Sequence, residues 1–194
     1  MTPSATAQSA ARIVGIGGNF HRPSRTRALV ETVVERIRRD YRADGALFDL
    51  VDVLPELGTF VYRNNVTGRT KEVLEAIESC DALVVGTPVY KGSYTGLFKH
   101  LFDLVTPERL AGVPVVLTAT GGNDRHALMI EHELRPLFAF FAASTVATGI
   151  YAAETDFIDG VPGSERLLRS IDAAIRDLRP WLGSTAKAPA IRPE

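Results

Sequence analysis

Short apolar runs and helical stripes alternate along this chain. Arg12–Gly17 (RIVGIG), Ala46–Val53 (ALFDLVDV), Ala82–Gly86 (ALVVG), Val113–Ala119 (VPVVLTA) and Ser144–Tyr151 (STVATGIY) are rich in β-branched residues and bounded by Gly, Pro or Asp. That is the pattern of strands buried on both faces of a parallel sheet. Pro114 stands at a strand's first positions, where a missing N–H is tolerable. Between the runs the spacing becomes helical. Leu29, Val33 and Ile37 lie four apart after Ser24; Val73, Leu74 and Ile77 form a short stripe; Leu168, Ile171, Ile175, Leu178 and Leu182 form a long one. The order is β-α repeated five times, and right-handed crossovers make such a chain a doubly wound α/β parallel sheet. Sheets of this kind bind ligands outside the carboxyl ends of the strands, where the winding reverses. The loops after Gly17, Gly86 and Thr120 are therefore the places to look for chemistry.

Residues 1–11 and 183–194 are small, polar and proline-bearing, and read as disordered ends on one domain spanning 12–182. A chain of 194 residues with 45% hydrophobic content can bury a full core without staples. Its net charge of −1 gives no bulk electrostatic reason to bind nucleic acid or an anionic membrane. The lone cysteine, Cys80, excludes an internal disulfide and a cysteine-cluster metal site, and fits a reducing compartment. His21, His100, His126 and His132 show no ligand spacing with carboxylates, so no metal is expected. No apolar stretch approaches the length of a bilayer span, and the first residues lack the basic start and apolar core of a secretory signal. A soluble, cytoplasmic protein is expected.

The first loop reads Gly17-Gly18-Asn19-Phe20-His21-Arg22-Pro23-Ser24-Arg25-Thr26. A dinucleotide fingerprint needs a third glycine where Phe20 stands, and no Gly-Lys-Ser/Thr end marks a nucleoside-triphosphate loop. What remains is a glycine pair leading to hydroxyls at a helix start. Ser24 and Thr26 beside free N–H groups suit a monophosphate, although Ser24 equally suits a plain helix cap. The second loop, Thr87-Pro88-Val89-Tyr90-Lys91-Gly92-Ser93-Tyr94-Thr95-Gly96, has the proline and glycines to aim peptide N–H groups at a flat heterocycle. It also reads as a glycine-rich turn with its tyrosines packed between strand and helix. The third, Thr120-Gly121-Gly122-Asn123, again puts glycines at a strand's carboxyl end. Three such loops on one edge point to a planar phosphate ester. The helical pattern His126, Met129, Ile130, Leu134, Leu137, Phe138, Phe141 runs straight through Pro136, which cannot bond back to the carbonyl of His132. Either the helix ends before Pro136, or a kink or π-bulge is centred on His132. No pair of carboxylates suggests acid–base work, and no catalytic side chain is assigned.

Gly17-Gly18 with Ser24-Arg25-Thr26, then Gly86-Thr87-Pro88-Val89-Tyr90-Lys91-Gly92, then Thr120-Gly121-Gly122 resemble the NAD(P)H-dependent FMN reductases of flavodoxin-like fold. The likeness is nearest to the reductase components of two-component alkanesulfonate and methanesulfonate monooxygenases, and runs from about Arg12 to Gly160. The resemblance implies a five-stranded sheet of order 2-1-3-4-5 with FMN at its edge, the phosphate near Gly18, Asn19, Ser24, Arg25 and Thr26. The ring would lie against Pro88, Val89, Tyr90, Lys91, Gly92, Ser93, Gly121 and Gly122. It also implies NADH or NADPH as co-substrate, a homodimer or homotetramer with a π-helix and His132 at a subunit interface, and handover of reduced FMN to a separate monooxygenase. Relatives often read Gly-Ser-x-Arg after the first strand, whereas Asn19, His21 and Arg22 stand here, which leaves the phosphate's basic partner open. The peptide N–H groups of Val89–Gly92 are expected to stabilise charge on the ring's pyrimidine end. Two other readings use the same fold: a quinone, azo-dye or metal-ion reductase with bound FMN, whose entrance, or else an interface, the long segment Leu54–Thr67 is expected to line, and a flavodoxin-like electron carrier, which the near-neutral charge disfavours.

Overall fold

The computed structural model describes residues 10–183; the expected disordered stretches fall largely outside these residues. Within them, the Ala11 carbonyl accepts the Asp44 N–H at 2.8 Å, so the chain is already tied to its neighbour there. The sheet is built from β1 (Arg12–Gly17), β2 (Asp44–Asp49), β3 (Ala82–Pro88), β4 (Pro114–Gly121), β5 (Ser144–Thr145) and β6 (Ile150–Ala153). All pairings within it are parallel. The order is 2-1-3-4 followed by a fifth position occupied by β5 and then β6, both paired to β4. This is the expected doubly wound, flavodoxin-like sheet.

Helices α1 (Arg25–Tyr41) and α5 (Glu165–Asp177) cover one face, burying Leu29, Val33 and Ile37 with Leu167, Ile171 and Ile175. Helices α2 (Gly68–Glu78), α3 (Gly96–Asp103) and α4 (Arg135–Phe140) cover the other, where Phe98, Phe102 and Phe138 stack tilted or edge-on at 4.9 Å. A short helix α6 (Arg179–Leu182) follows α5, so the long apolar stripe breaks at Leu178. A hairpin of β7 (Phe157–Ile158) and β8 (Val161–Pro162) lies outside the main sheet.

The third and fourth strands run to Pro88 and Gly121, two residues past the sequence reading, and two other strands differ more. The second begins two residues earlier and stops at Asp49 instead of Val53, because Asp49 caps a tight turn. Its carboxylate accepts from Val51 N, and its own N–H donates to Asp52. The fifth is broken between Thr145 and Ile150. There the Arg135 guanidinium donates to Thr145 Oγ1 and to the Val146 and Ala147 carbonyls, and Asp177 accepts the Thr148 N–H, so side chains replace the ladder.

The predicted defect before Pro136 is a π-helical turn over Ile130–Leu134 with His132 at its centre. Arg135 N donates five residues back to Ile130 O, and α4 then starts with Pro136 in its first turn, where no N–H is required. Ile130 packs where Gly149 has no side chain; a Cβ there would lie 2.6 Å from its methyl group. The π turn and the break in the fifth strand thus fit one another. No helix among the described residues is long and apolar enough to cross a membrane.

Candidate functional site

A cleft of about 920 Å³ opens at the carboxyl ends of β1, β3 and β4. That is within the range of small-molecule sites. A smaller depression, about 440 Å³, lies at the opposite edge between the ends of α1 and α5, lined by Tyr41, Arg42 and Arg179. Sheet topology favours the first.

One end of the cleft is the start of α1. Ser24 is its N-cap, with its hydroxyl accepting from Arg27 N at 3.3 Å. The amides of Arg25 and Thr26 have no carbonyl one turn back, and an accepting hydroxyl still has its hydrogen to donate. Capping and anion binding are therefore compatible at Ser24. Thr26 is buried, and its hydroxyl meets that of Thr120 at 2.6 Å, which joins the helix start to the end of β4.

The cations of this loop are unequal. Arg22 makes a bidentate pair with Asp49 at 2.8 and 2.7 Å and reaches Asp52 at 2.7 Å. Arg27 adds a third bond to Asp49 at 2.9 Å, and Asn19 donates to the same carboxylate at 3.1 Å and to the His21 carbonyl. Burial alone would push the Asp49 carboxyl up, but the hydrogen bonds from Arg22, Asn19 and Arg27 outweigh it and hold the group below its ordinary range. Bonds to Asp49 and then to Asp52 raise the Arg22 guanidinium above its ordinary range. Arg22 and Arg27 are thus committed to a carboxylate whose side chain is 0% exposed. Arg25 is different: it pairs at 2.6 Å with Glu154 on the cleft rim, and both side chains are substantially exposed.

The remaining walls come from the other two loops. Pro88, Val89 and Tyr90 line one side, where Tyr90 meets Phe20 edge-on with ring centres 5.9 Å apart. Gly121 and Gly122 line another, for different reasons. A side chain at Gly121 would run into the Tyr151 hydroxyl, which donates to Asn123 O at 2.6 Å. Gly122 also lines the cleft, and a Cβ there would meet nothing within 4 Å. Gly121 is required by the packing behind it; Gly122 leaves the surface flat.

Gly18, Lys91, Gly92 and Ser93 do not line the cleft. Gly18 lies beneath it, its N–H bonded to Gly86 O and its α-carbon too near Phe98 for a side chain. Tyr90 and Ser93 exchange backbone bonds around Lys91 and Gly92, whose φ values of 54° and 86° form a tight hairpin turn. This corrects the expectation for the peptide N–H groups. Val89 N already donates to Thr120 O and Tyr90 N to Ser93 O, which leaves Lys91 and Gly92 as the amides of that stretch without a partner among the described residues. Ser93 Oγ donates to Glu133 at 2.9 Å, so the π turn is tied to this loop through its glutamate. His132 itself is exposed. Segment Leu54–Thr67 is not part of the cleft. Leu57 is buried and its carbonyl meets His100 Nε2, and Arg63 pairs with Glu78.

Glu154, Phe157, Asp159 and Gly160, which the sequence reading left unassigned, close the rim opposite α1. The Asp159-Gly160 pair at a hairpin tip, with φ values of 51° and 80°, was a signal available for that turn. Nothing in the sequence placed it over the cleft.

The geometry fits FMN: unpaired amides and a hydroxyl at a helix start for the phosphate, and a flat floor at Gly122 with an apolar wall for the ring. The sequence model of the NADPH-dependent FMN reductases matches residues 11–157. The chain belongs to this family. It is an oxidoreductase that works with FMN and a reduced nicotinamide nucleotide. A curated FMN reductase (NADPH) of Pseudomonas aeruginosa is 41% identical over 91% of this chain and 95% of its own. The NADH-dependent FMN reductase SfnF of Pseudomonas putida is 47% identical over 77% of this chain and 81% of its own. An oxidoreductase from Corynebacterium diphtheriae superposes with a TM-score of 0.82 at 29% identity, covering 92% of this chain and all of that one.

Proposed function

We propose that this reductase holds FMN in the cleft at the carboxyl edge of the sheet as an exchangeable substrate, and that it supplies the reduced flavin to a separate monooxygenase of the sulfonate or organosulfur type. The observation that carries the reading is the pairing of the free amides at the α1 start with the open floor at Gly122, in a cleft whose rim cation has only an exposed partner. The naming of relatives as SfnF and SfnE supports the choice of monooxygenase class.

Bound there, FMN supplies the acceptor for hydride from NADH or NADPH. The chain's own residues position it. Ser24, Thr26 and the amides of Arg25 and Thr26 take the phosphate, which a helix start stabilises. Arg25 is the basic residue that meets it, since Arg22 and Arg27 are held by Asp49. Pro88, Val89, Tyr90 and Gly122 would hold the ring and leave one of its faces open for the nicotinamide. Asn19 braces the loop through Asp49. Gly18, Gly121 and Ser93 act from behind by fixing backbone, and Lys91 and Gly92 present amides beyond the rim. No side chain is assigned an acid or base role, in keeping with chemistry that belongs to the cofactors. We place the protein in the cytoplasm, as a homodimer or homotetramer associating through the π turn around His132.

Nicotinamide oxidation under air with FMN varied is expected to saturate with added FMN, and FMN is expected to leave the protein on gel filtration. Retained FMN with negligible turnover would identify an electron carrier instead; retained FMN with turnover on quinones or azo dyes would identify a self-contained reductase. Arg25→Ala is expected to weaken FMN binding by about tenfold or more, the loss of a charge-assisted hydrogen bond. Riboflavin, which has no phosphate, should be affected much less. Fluorescence quenching of the two flavins measures both.

A further inference from the structure

Glu154 lines the same cleft as the proposed phosphate site, and its carboxylate takes Arg25, which among the described residues is the cleft arginine not committed to Asp49. We infer that Glu154 is a specificity-determining residue that competes with the flavin phosphate for Arg25 and so keeps FMN exchangeable. The inference rests on the assignment of Arg25 to the phosphate and goes beyond it.

Glu154 stands on the short turn Glu154–Asp156 directly after β6. The backbone of that turn is fixed. Asp156 is buried, accepts the Ala153 N–H at 2.8 Å, and is further bonded by Ser164 and Arg166. The Glu154 side chain takes no part in that bonding. It is 63% exposed and its Arg25 partner 45%. An ion pair this open is worth little and breaks easily. It therefore does not lock Arg25 away as Asp49 locks Arg22; it charges a toll on each phosphate that arrives. A phosphate monoester with about −1.5 to −2 charge outcompetes a single carboxylate for the guanidinium and the helix start. The displaced carboxylate nonetheless remains anchored to the rim a short distance away, where like charges repel. Both effects weaken FMN and leave a phosphate-free flavin untaxed. Pro88, Val89 and Gly122, which are placed against the ring, are uncharged.

The test is the dissociation constant for FMN relative to riboflavin, by fluorescence quenching, in the parent protein, Glu154→Gln, Arg25→Ala and the double variant. Glu154→Gln is expected to improve the preference for FMN by about three- to tenfold, Glu154→Asp to fall between it and the parent, and the gain to shrink with added salt. In the Arg25→Ala background the same substitution should bring a much smaller gain. If Arg25→Ala lowers the preference but Glu154→Gln does not raise it, the competition is refuted and the phosphate assignment stands. If Arg25→Ala leaves the preference where it was, the phosphate assignment falls and this inference with it.

Discussion

Gly122→Val is expected to raise the FMN dissociation constant about 100-fold while moving the unfolding temperature by no more than about 2 °C. The two outcomes separate because of what lies in front of this α-carbon. No atom comes within 4 Å of an added Cβ, and the residue is exposed just after β4, so the added Cβ meets no protein and the substitution is expected to cost little stability. Surface changes of that kind cost about 0.5 kcal/mol or less. Gly122 lines the cleft, so the added bulk competes with the ring for that space, and a 100-fold loss corresponds to about 2.8 kcal/mol of lost contact. Gly122→Ala should fall in between. Equilibrium titration of FMN fluorescence together with thermal unfolding checks both halves. A valine variant that binds FMN as the parent does would show that the ring lies elsewhere. Gly121→Ala gives the contrasting case: it forces Tyr151 from its bond to Asn123 O and should lower stability as well as binding.

Asp49→Asn is expected to cost about 2 kcal/mol of stability and to weaken FMN binding about tenfold. The carboxylate is buried and receives bonds from Arg22, Arg27 and Asn19, and leaving such charges without their partner costs about 3–5 kcal/mol in a closed interior. Arg22 and Arg27 are partly exposed and can rehydrate, which reduces the figure. In a protein of this size the expected fall in Tm is about 4–8 °C. The binding loss follows from the loop: Asn19 and Arg22 are the points at which residues 19–24 are pinned ahead of the α1 start. The pH dependence has a definite sign. The folded carboxyl is held below its ordinary range, so its contribution is complete above the unfolded value of about 4 and is lost as pH falls through the lower folded value. The stability gap between parent and Asp49→Asn should stay constant from pH 7 to about 5 and close in more acidic solution. A gap that instead widens on acidification would refute the role given to Asp49.

Much of this protein was readable in its residues. The alternation of β-branched runs with four-residue stripes fixed the α/β class, and with it the edge of the sheet where a ligand belongs. Pro136 inside an otherwise unbroken helical pattern located the π turn, because a missing N–H is a covalent fact visible in the sequence. Family motifs in the three loops pointed to FMN. Two strand boundaries were misread, for different reasons. The second strand was taken too far, to Val53, because the capping of Asp49 by its own neighbours was not weighed. The fifth was taken as continuous because Arg135 and Asp177, which interrupt it, come from other elements.

Sequence by itself determined the order of elements, the placement of the cleft and the backbone defect, since each follows from periodicity or from the chemistry of a single residue. Only the tertiary structure decided which charges are free. Arg22 meets Asp49 across 27 positions, and Thr26 meets Thr120 across 94. Arg25, which looks equivalent to Arg22 and Arg27 in the chain, pairs instead with the exposed Glu154 on the cleft rim, while Asp49 takes the other two. The amides of Val89 and Tyr90 look free in a glycine-rich loop and are used by Thr120 and Ser93. Hydrogen-bond partners and counter-ions are pairwise properties of groups brought together by the fold, and no local pattern in one segment states what another will contribute.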